Sequence, residues 1–353
     1  MLTRSNLTCP QPDHKTAVEL HKPRKPNRHR IWSIPVGILI AIAVLEVACF
    51  GLGWWYLFKR HGMSSYLGIE GLTTGPERFS FAELETATSN FSEIIGKGGF
   101  GTVYKGTLSS NREVAVKKLE GVDRGEVQFR AEVTIVGRIH HMNLVHMMGF
   151  CAEGEHRMLV YEYIPKGSLD SYLFSEGKNV LQWNQRYSIA VGTARGIAYM
   201  HEECLDWVLH CDIKPQNILL DDNFVPKVSD FGLAKLVDRE RTLCFSTIRG
   251  TRGYLAPKWV KNLPITAKAD VYSFGIVLLE IVSGQNNAVF THNQTTMGVS
   301  HGRAGDHFPQ WAIEQMRTGR MREMVDPKLA GDANATIDWE EVERVVRTAL
   351  WCI

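Results

Sequence analysis

The chain has 353 residues, of which 44% are hydrophobic and 22% are charged, and its formal net charge is +2. This composition supports a real hydrophobic core in one large domain or two ordinary ones, and the near-neutral charge argues against nucleic-acid binding. The seven cysteines form no C-x-x-C pair and have no zinc-like spacing. We therefore expect free thiols in a reducing compartment, without a disulfide framework.

A short basic segment, residues 1–30, precedes an almost wholly apolar stretch at residues 31–58. A helix of about 20 apolar residues is long enough to cross a bilayer. The stretch closes with Trp54-Trp55-Tyr56, which suits a membrane interface, and Lys59-Arg60 follow it. A buried core helix is the alternative interpretation. The basic residues at both ends favour a single transmembrane helix over residues 31–58.

Residues 59–90 are predicted to form a juxtamembrane segment. Scattered glycines and Pro76 within residues 59–78 indicate a flexible linker. Ser80 is then a candidate helix N-cap, and Glu83 stands in the capping-box position three residues later. This pattern predicts a short amphipathic helix after Ser80.

From residue 91 to residue 353 the pattern changes from strand to helix. Short β-branched runs separated by turn residues occupy residues 93–95, 102–105 and 113–119. Helical periodicity begins near Glu126 and dominates after Leu181. The order predicts one α+β domain with a small strand-rich lobe followed by a large helical lobe.

The first motif that points to chemistry is Gly96-Lys97-Gly98-Gly99-Phe100-Gly101, followed by Thr102-Val103. Glycines at its first, third and sixth places allow backbone amides to approach phosphates closely. A dinucleotide-binding fold uses a similar pattern, but there a helix follows the loop. Here a strand follows, so the motif favours a loop that covers the phosphates of a nucleotide.

The second motif is Val114-Ala115-Val116-Lys117, on the predicted strand after this loop. A lysine in this place can hold the α- and β-phosphates of ATP as a point charge, and it needs a carboxylate to fix its position. Glu132 lies at a suitable place on the next predicted helix. An exposed surface lysine is the common alternative, but the upstream glycine loop favours the functional interpretation.

The third and fourth motifs are His210–Asn217 (HCDIKPQN) and Asp230-Phe231-Gly232. In the third, Asp212 is the candidate to orient and deprotonate an attacking hydroxyl, and Lys214 to neutralise the γ-phosphate. Asn217 and Asp230 are the candidate ligands of magnesium. ATP and Mg²⁺ are therefore the expected substrate and cofactor.

These motifs occur together in this order, and from about Glu93 to its end the chain resembles a eukaryotic protein kinase. Further strings resemble the plant receptor-like branch, and two of them resemble its S-domain, G-type lectin subgroup. The branch strings are His141–Val145, Tyr161–Leu169 and Gly250–Pro257, and the subgroup strings are Glu203–Val208 and Leu263–Ser273.

The resemblance implies a bilobal kinase fold and further site residues. Tyr161 corresponds to the gatekeeper, and Glu162 to Ile164 correspond to the hinge that hydrogen-bonds adenine. The residues that sandwich the adenine ring are Val103, Ala115 and Leu219. Asp270 is expected to brace the catalytic loop. Lys214 and Thr251 are of the type found in kinases that act on serine and threonine.

The resemblance also implies a location and partners. Such proteins are single-pass plasma-membrane receptors with a cytosolic kinase domain, protein substrates that carry Ser or Thr, and partner receptor kinases. Lysines and arginines are more numerous before residues 31–58 than just after them, and this count alone places the N-terminus in the cytosol. The cytosolic location of ATP favours the opposite orientation.

Two departures from the kinase pattern support a competing hypothesis. Cys211 stands where many kinases have arginine, and Lys258 stands where the A-P-E motif has glutamate. The chain also ends at Ile353 inside an expected helix and has only residues 1–30 before the span, so we expect the ectodomain and the C-terminal end of the kinase domain to be absent. The alternative is a catalytically impaired, pseudokinase-like membrane scaffold. A ligand-sensing domain is excluded for residues 1–30, which are too short.

Overall fold

The computed structural model describes residues 43–52, 75–99, 101–175, 180–237, 249–260, 264–287, 289, 307–330 and 337–353. The chain divides into two compact units, residues 1–70 and 71–353. In the first unit, the described residues form helix α1 at 43–52, with exposed side chains. No helix within the described ranges is long and apolar enough to cross a membrane. Most of residues 31–58 lies outside those ranges, so the transmembrane helix stays a prediction.

The second unit begins with a six-stranded sheet whose order is β1-β5-β6-β4-β3-β2. β1 pairs with β5 in parallel, and the other neighbouring strands are antiparallel. The strands are β1 Glu77–Arg78, β2 Ile94–Gly98, β3 Gly101–Thr107, β4 Glu113–Leu119, β5 Met147–Glu153 and β6 His156–Glu162. The three β-branched runs of the sequence became β2, β3 and β4, as predicted.

Helix α2, Phe81–Ala87, packs on this sheet. Ser80 caps it, since its hydroxyl accepts from the backbone N–H of Glu83 at 3.2 Å, and Glu83 Oε2 accepts from the backbone N–H of Ser80 at 2.8 Å. The predicted capping box is confirmed. Leu84 and Phe79 bury their side chains in the same hydrophobic cluster as Val114 of β4. Phe79 and helix α2 therefore contribute to the core of the sheet.

Helix α3, Val122–Val136, lies against β6 and begins four residues before the predicted start at Glu126. Gly121 precedes it with a φ of 88°, a left-handed conformation that glycine adopts without strain. Phe129 and Val133 bury one face. Gln128 and Glu132, spaced by one helical turn, are also buried, although both are polar. That second buried face belongs to the site described below.

The rest of the second unit is mostly helical, so the predicted α+β class with two lobes is confirmed. Its helices are α4 Asp170–Leu173, α5 Trp183–Ala198, α6 Pro257–Val260, α7 Lys268–Ser283, α8 His307–Arg317, α9 Pro327–Ala330 and α10 Trp339–Cys352. Helix α7 is hydrophobic on nearly all sides and almost wholly buried, as expected of a central helix. It positions the loop that carries Asp212.

Two short strand pairs lie in this helical part. They are β7 Trp207–Leu209 with β10 Lys235–Val237, and β8 Ile218–Leu220 with β9 Pro226–Val228. The segment between β7 and β8 contains the HCDIKPQN motif, and the segment between β9 and β10 contains Asp230-Phe231-Gly232. The two motifs, well separated in sequence, therefore reach the same region.

Candidate active site

A cavity of about 750 Å³ lies between the sheet and the helical lobe. This volume is within the usual range for small-molecule sites. The predicted site residues that line it are Gly96, Lys97, Gly98, Gly99, Gly101, Val103, Ala115, Lys117, Tyr161, Glu162, Ile164, Lys214, Asn217, Leu219 and Asp230. Glu132 and Asp212 bond directly to lining residues. Phe100 lies outside the described residues.

The glycine loop is formed where β2 turns into β3, and its residues line one wall of the cavity. Gly101 has a φ of 138°, and a Cβ at this position would lie 2.1 Å from the backbone oxygen of Lys118. Only glycine fits there. The hairpin pairs Lys97 with Thr102 and Gly98 with Gly101, which places the flat backbone of the loop over the cavity.

Lys117 lies between two carboxylates. Its Nζ is 2.8 Å from Glu132 Oε1 and 2.7 Å from Asp230 Oδ1. Burial alone would lower the pKa of Lys117, but the Glu132 and Asp230 carboxylates outweigh burial and raise this pKa above its ordinary value. The same ammonium, for its part, lowers the pKa of Asp230 against the opposing effect of burial. A permanently charged lysine is therefore fixed at the back of the cavity.

Tyr161 contributes a hydrogen bond that the sequence analysis did not predict. Its hydroxyl donates to Glu132 Oε2, while the β4–β6 register places its backbone opposite Ala115. Burial, together with the Glu132 carboxylate, raises the pKa of Tyr161 well above its ordinary value. Tyr161, the predicted gatekeeper, thus also orients the Glu132 carboxylate, which in turn binds Lys117. The two residues are 29 positions apart, and no motif spacing links them.

Asp212 is at the centre of a second network. Lys214 Nζ donates to Asp212 Oδ2 at 2.7 Å and to Thr251 Oγ1 at 2.8 Å. The Thr251 hydroxyl donates in turn to Asp212 Oδ1 at 2.7 Å. The carboxylate is 5% exposed and is oriented by both neighbours. Thr251, noted in the sequence as a marker of serine and threonine kinases, thus belongs to the site itself.

Asp270 of α7 holds the backbone beside Asp212, as expected. Its carboxylate accepts from the backbone N–H groups of His210 and Cys211, both at 2.8 Å, and His201 Nε2 lies 2.9 Å away. Burial opposes ionisation of Asp270, but these hydrogen bonds and the neighbouring histidines lower its pKa. Cys211 has a φ of 67°, an uncommon conformation for a residue other than glycine. The two N–H bonds stabilise it.

Asn217 and Asp230, the predicted metal ligands, both line the cavity. The Asn217 amide nitrogen donates to the backbone oxygen of Asp212 at 2.9 Å and to its Oδ2 at 3.1 Å, so the amide oxygen is the atom suited to a metal. Carboxylate and amide oxygens are the hard ligands that Mg²⁺ prefers, and Mg²⁺ usually completes its shell with substrate phosphates and water. The donor set fits Mg²⁺. No cluster of three or more His, Cys, Asp or Glu suited to a metal is found among the residues described.

The two residues that depart from the kinase pattern are both accommodated. Cys211 is buried, and its thiol points to the backbone oxygen of Leu209 at 3.6 Å. Lys258 takes no part in a buried ion pair among the described residues, because its side chain is exposed at the start of α6. Neither residue places an unpaired charge in the protein interior, and neither lines the cavity.

Residues 89–325 match the protein kinase domain family. The chain belongs to the protein kinase family. It is also similar to plant receptor-like kinases. A G-type lectin S-receptor-like serine/threonine-protein kinase of Arabidopsis thaliana is 46% identical, over 93% of this chain and 39% of the relative.

Two further relatives are also G-type lectin S-receptor-like serine/threonine-protein kinases. The kinase SD2-5 of Arabidopsis thaliana is 50% identical, over 81% of this chain and 34% of the relative. The kinase LECRK4 of Oryza sativa is 42% identical, over 95% of this chain and 41% of the relative. The chain thus spans less than half the length of these relatives.

Proposed function

We propose that this chain is a serine/threonine protein kinase that transfers the γ-phosphoryl group of ATP to protein hydroxyl groups. The observation that carries the proposal is one cavity lined by two groups of residues. One group is Lys117 with its carboxylate partners Glu132 and Asp230, and the other is Lys214 and Thr251, which hydrogen-bond to Asp212 beside the cavity. One half of this arrangement suits nucleotide phosphates, and the other half suits an attacking hydroxyl.

The sheet side of the cavity is suited to the nucleotide. Val103 and Ala115 above, with Leu219 below, provide apolar walls for the adenine ring, and residues 162–164 provide backbone groups at its edge. Backbone amides of the glycine loop and the Lys117 ammonium then meet the phosphates. A bound Mg²⁺, held by Asn217 and Asp230, would neutralise charge on those phosphates.

The helical side is suited to transfer. Asp212 is placed to orient the substrate hydroxyl and to accept its proton, because both its oxygens are fixed by Lys214 and Thr251. Lys214 also lines the cavity, so its ammonium can stabilise negative charge on the transferred group. Catalysis by positioning and charge stabilisation is what phosphoryl transfer requires.

The test uses the full chain in detergent with labelled ATP, Mg²⁺ and a generic Ser/Thr protein substrate. Asp212→Asn should lower phosphate incorporation by about 10²- to 10⁴-fold, because it removes the proton acceptor. Asp206→Asn, which changes an exposed aspartate near β7, is the matched control and should retain full incorporation. Wild-type protein that binds nucleotide but transfers no phosphate would instead support the pseudokinase-like scaffold.

We also propose that the chain is a single-pass membrane protein, anchored by residues 31–58 in the plasma membrane with the kinase domain in the cytosol. Its support is the length and apolar character of that stretch and the receptor-like description of the relatives. Partner receptor kinases at the same membrane follow as candidate interactors.

A further inference from the structure

Gln128, on the buried polar face of α3, has no role in the motifs described above. Its side-chain Nε2 donates to Glu132 Oε1 at 2.7 Å, and the residue is 7% exposed. Glu132 Oε1 is the same oxygen that accepts from Lys117 Nζ. Burial of an amide side chain is unfavourable unless the amide is hydrogen-bonded, so the bond to Glu132 offsets the cost of burying Gln128.

The Gln128 amide also lies directly against the backbone of Gly232. A Cβ built on Gly232 would be 2.2 Å from Gln128 Nε2 and 3.2 Å from Glu132 Oε1. Gly232 stands two residues after Asp230, in the turn Phe231–Leu233 that packs against α3. The amide therefore fits only where residue 232 has no side chain and where this turn and α3 are close together.

Three donors from three different elements form hydrogen bonds to the Glu132 carboxylate. Lys117 of β4 and Gln128 of α3 share Oε1, and Tyr161 of β6 takes Oε2. Of these donors, Lys117 contacts Asp230 itself, and Gln128 packs against Gly232 of the same segment. Gln128 thus connects the Glu132 carboxylate to the backbone of the segment that carries Asp230.

We propose that Gln128 is a positioning residue that couples the placement of α3 to that of the Asp230 segment. Its amide keeps Glu132 turned toward Lys117 while the Phe231–Leu233 turn is packed beneath it. If either element moves away, Lys117 loses one of its two carboxylates and its fixed place beside the phosphates. The inference rests on the proposed kinase function for its catalytic consequence, but its structural part does not.

Two substitutions distinguish the effect of the hydrogen-bond donor of Gln128 from the effect of its side-chain shape. Gln128→Leu keeps similar bulk and helix propensity but cannot donate. Gln128→Glu keeps the shape and places a second carboxylate 2.7 Å from Glu132, where two like charges cannot both ionise. When protonated, that new carboxyl group can donate to Glu132 as the amide does. Activity of Gln128→Glu should therefore depend on pH in a way that activity of Gln128→Leu does not.

The expected result for Gln128→Leu is a kcat about tenfold or more below wild type at every pH, since a hydrogen bond to a buried charge is lost. The KM for the protein substrate should stay unchanged. Gln128→Glu should show a similar loss at about pH 8 and should approach wild-type kcat at about pH 6. Val127→Ala, which alters an exposed neighbour on α3, is the matched control and should behave as wild type.

A Gln128→Leu enzyme within about twofold of wild-type kcat, or a Gln128→Glu enzyme with the wild-type pH profile, would overturn the proposal. If Gln128→Leu does not fold, as judged by thermal melting, Gln128→Met replaces it with the same expectation.

Amide hydrogen exchange tests the structural part without any need for activity. In Gln128→Leu, exchange should become faster in α3 and in residues 231–235 together, because the contact that joins them is lost. Unchanged exchange in either segment would overturn the coupling. If wild-type protein transferred no phosphate, the proposed function would fail, while this exchange result would still decide the role of Gln128.

Discussion

At the scale of single residues, Glu132 shows how hydrogen bonds offset the free-energy cost of burying a carboxylate completely. The residue is 0% exposed, yet it accepts hydrogen bonds on both oxygens from Lys117, Gln128 and Tyr161. A buried charge without such partners would be strongly unfavourable. The stability of this part of the protein therefore depends on each donor, including residues outside the catalytic motifs.

Tyr161→Phe tests this dependence. The substitution removes the hydroxyl that donates to Glu132 Oε2 and should lower the free energy of unfolding by about 1–3 kcal/mol, the usual effect of leaving a buried acceptor without its donor. Urea denaturation measures it. Tyr163→Phe, in the same segment, is the control and should stay within about 0.5 kcal/mol of wild type. Equal effects of the two substitutions would contradict the prediction.

Glu280 of α7 is a second buried carboxyl group, but it has fewer partners. Its Oε1 accepts from the Tyr254 hydroxyl at 2.8 Å and from the backbone N–H of Asn287 at 2.9 Å. Burial raises the pKa of Glu280 from 4.5 to about 8, against the effect of these hydrogen bonds. Between these two values the folded protein holds a proton that the unfolded chain releases, so this group makes stability fall as pH rises.

Glu280→Gln should therefore reduce the loss of stability between about pH 5 and about pH 8, at about 1.4 kcal/mol for each unit of pKa difference removed. Urea denaturation at the two pH values measures the change. The control is Glu323→Gln, at an exposed glutamate, which should leave the wild-type dependence intact. A pH dependence that is identical in wild type and Glu280→Gln would show that Glu280 is ionised in the folded state.

At the scale of the elements, the sequence predicted those helices, strands and caps whose formation depends on residues close to one another in the chain. The capping box at Ser80, the three strands around the glycine loop and the α+β order all follow from turn residues, β-branched runs and helical periodicity. The catalytic and metal-site candidates were found from short motifs, and the structure places Lys117, Lys214, Asn217 and Asp230 around one cavity with Asp212 bonded to its lining.

What the sequence did not predict depends on contacts between distant segments. Strand β1 is only two residues long, lies in the stretch predicted as a linker, and exists because β5 pairs with it. The bonds of Tyr161 and Gln128 to Glu132 depend on how α3 meets β6 and the Phe231–Leu233 turn. Neither Tyr161 nor Gln128 carries a local pattern that indicates such a bond.

The cap of α2 can be tested as an element. Ser80→Ala removes the hydroxyl that accepts from the Glu83 N–H and should lower the free energy of unfolding by about 1 kcal/mol, because one backbone donor at the helix start loses its partner. Thermal melting detects the change. Ser110→Ala, at an exposed serine in the turn between β3 and β4, is the control. A melting temperature equal to wild type for Ser80→Ala would mean that α2 is held by its buried face alone.

At the scale of the whole molecule, N-glycosylation can test the proposed membrane topology, in which the kinase domain lies in the cytosol. N-glycosylation sequons stand on both sides of residues 31–58, at Asn6 before the span and at Asn90, Asn293 and Asn334 after it. With a cytosolic kinase domain, only Asn6 is exposed to the glycosylation machinery. Expression in eukaryotic cells should give one glycan, which Asn6→Gln removes. Glycans at the other three sites would instead place the N-terminus in the cytosol.

Strand β1 has a practical consequence for anyone who prepares the isolated kinase part. Gly149 of β5 lies so near β1 that a Cβ there would be 2.2 Å from the Glu77 backbone oxygen, and the backbone N–H of Phe79 donates to Phe150 at 2.9 Å. A fragment that starts at residue 89, where the family match begins, would lack this strand. Its sheet would end in an unpaired edge beside an uncovered apolar surface, a combination that promotes aggregation. A recombinant start upstream of Gly75 keeps that edge covered.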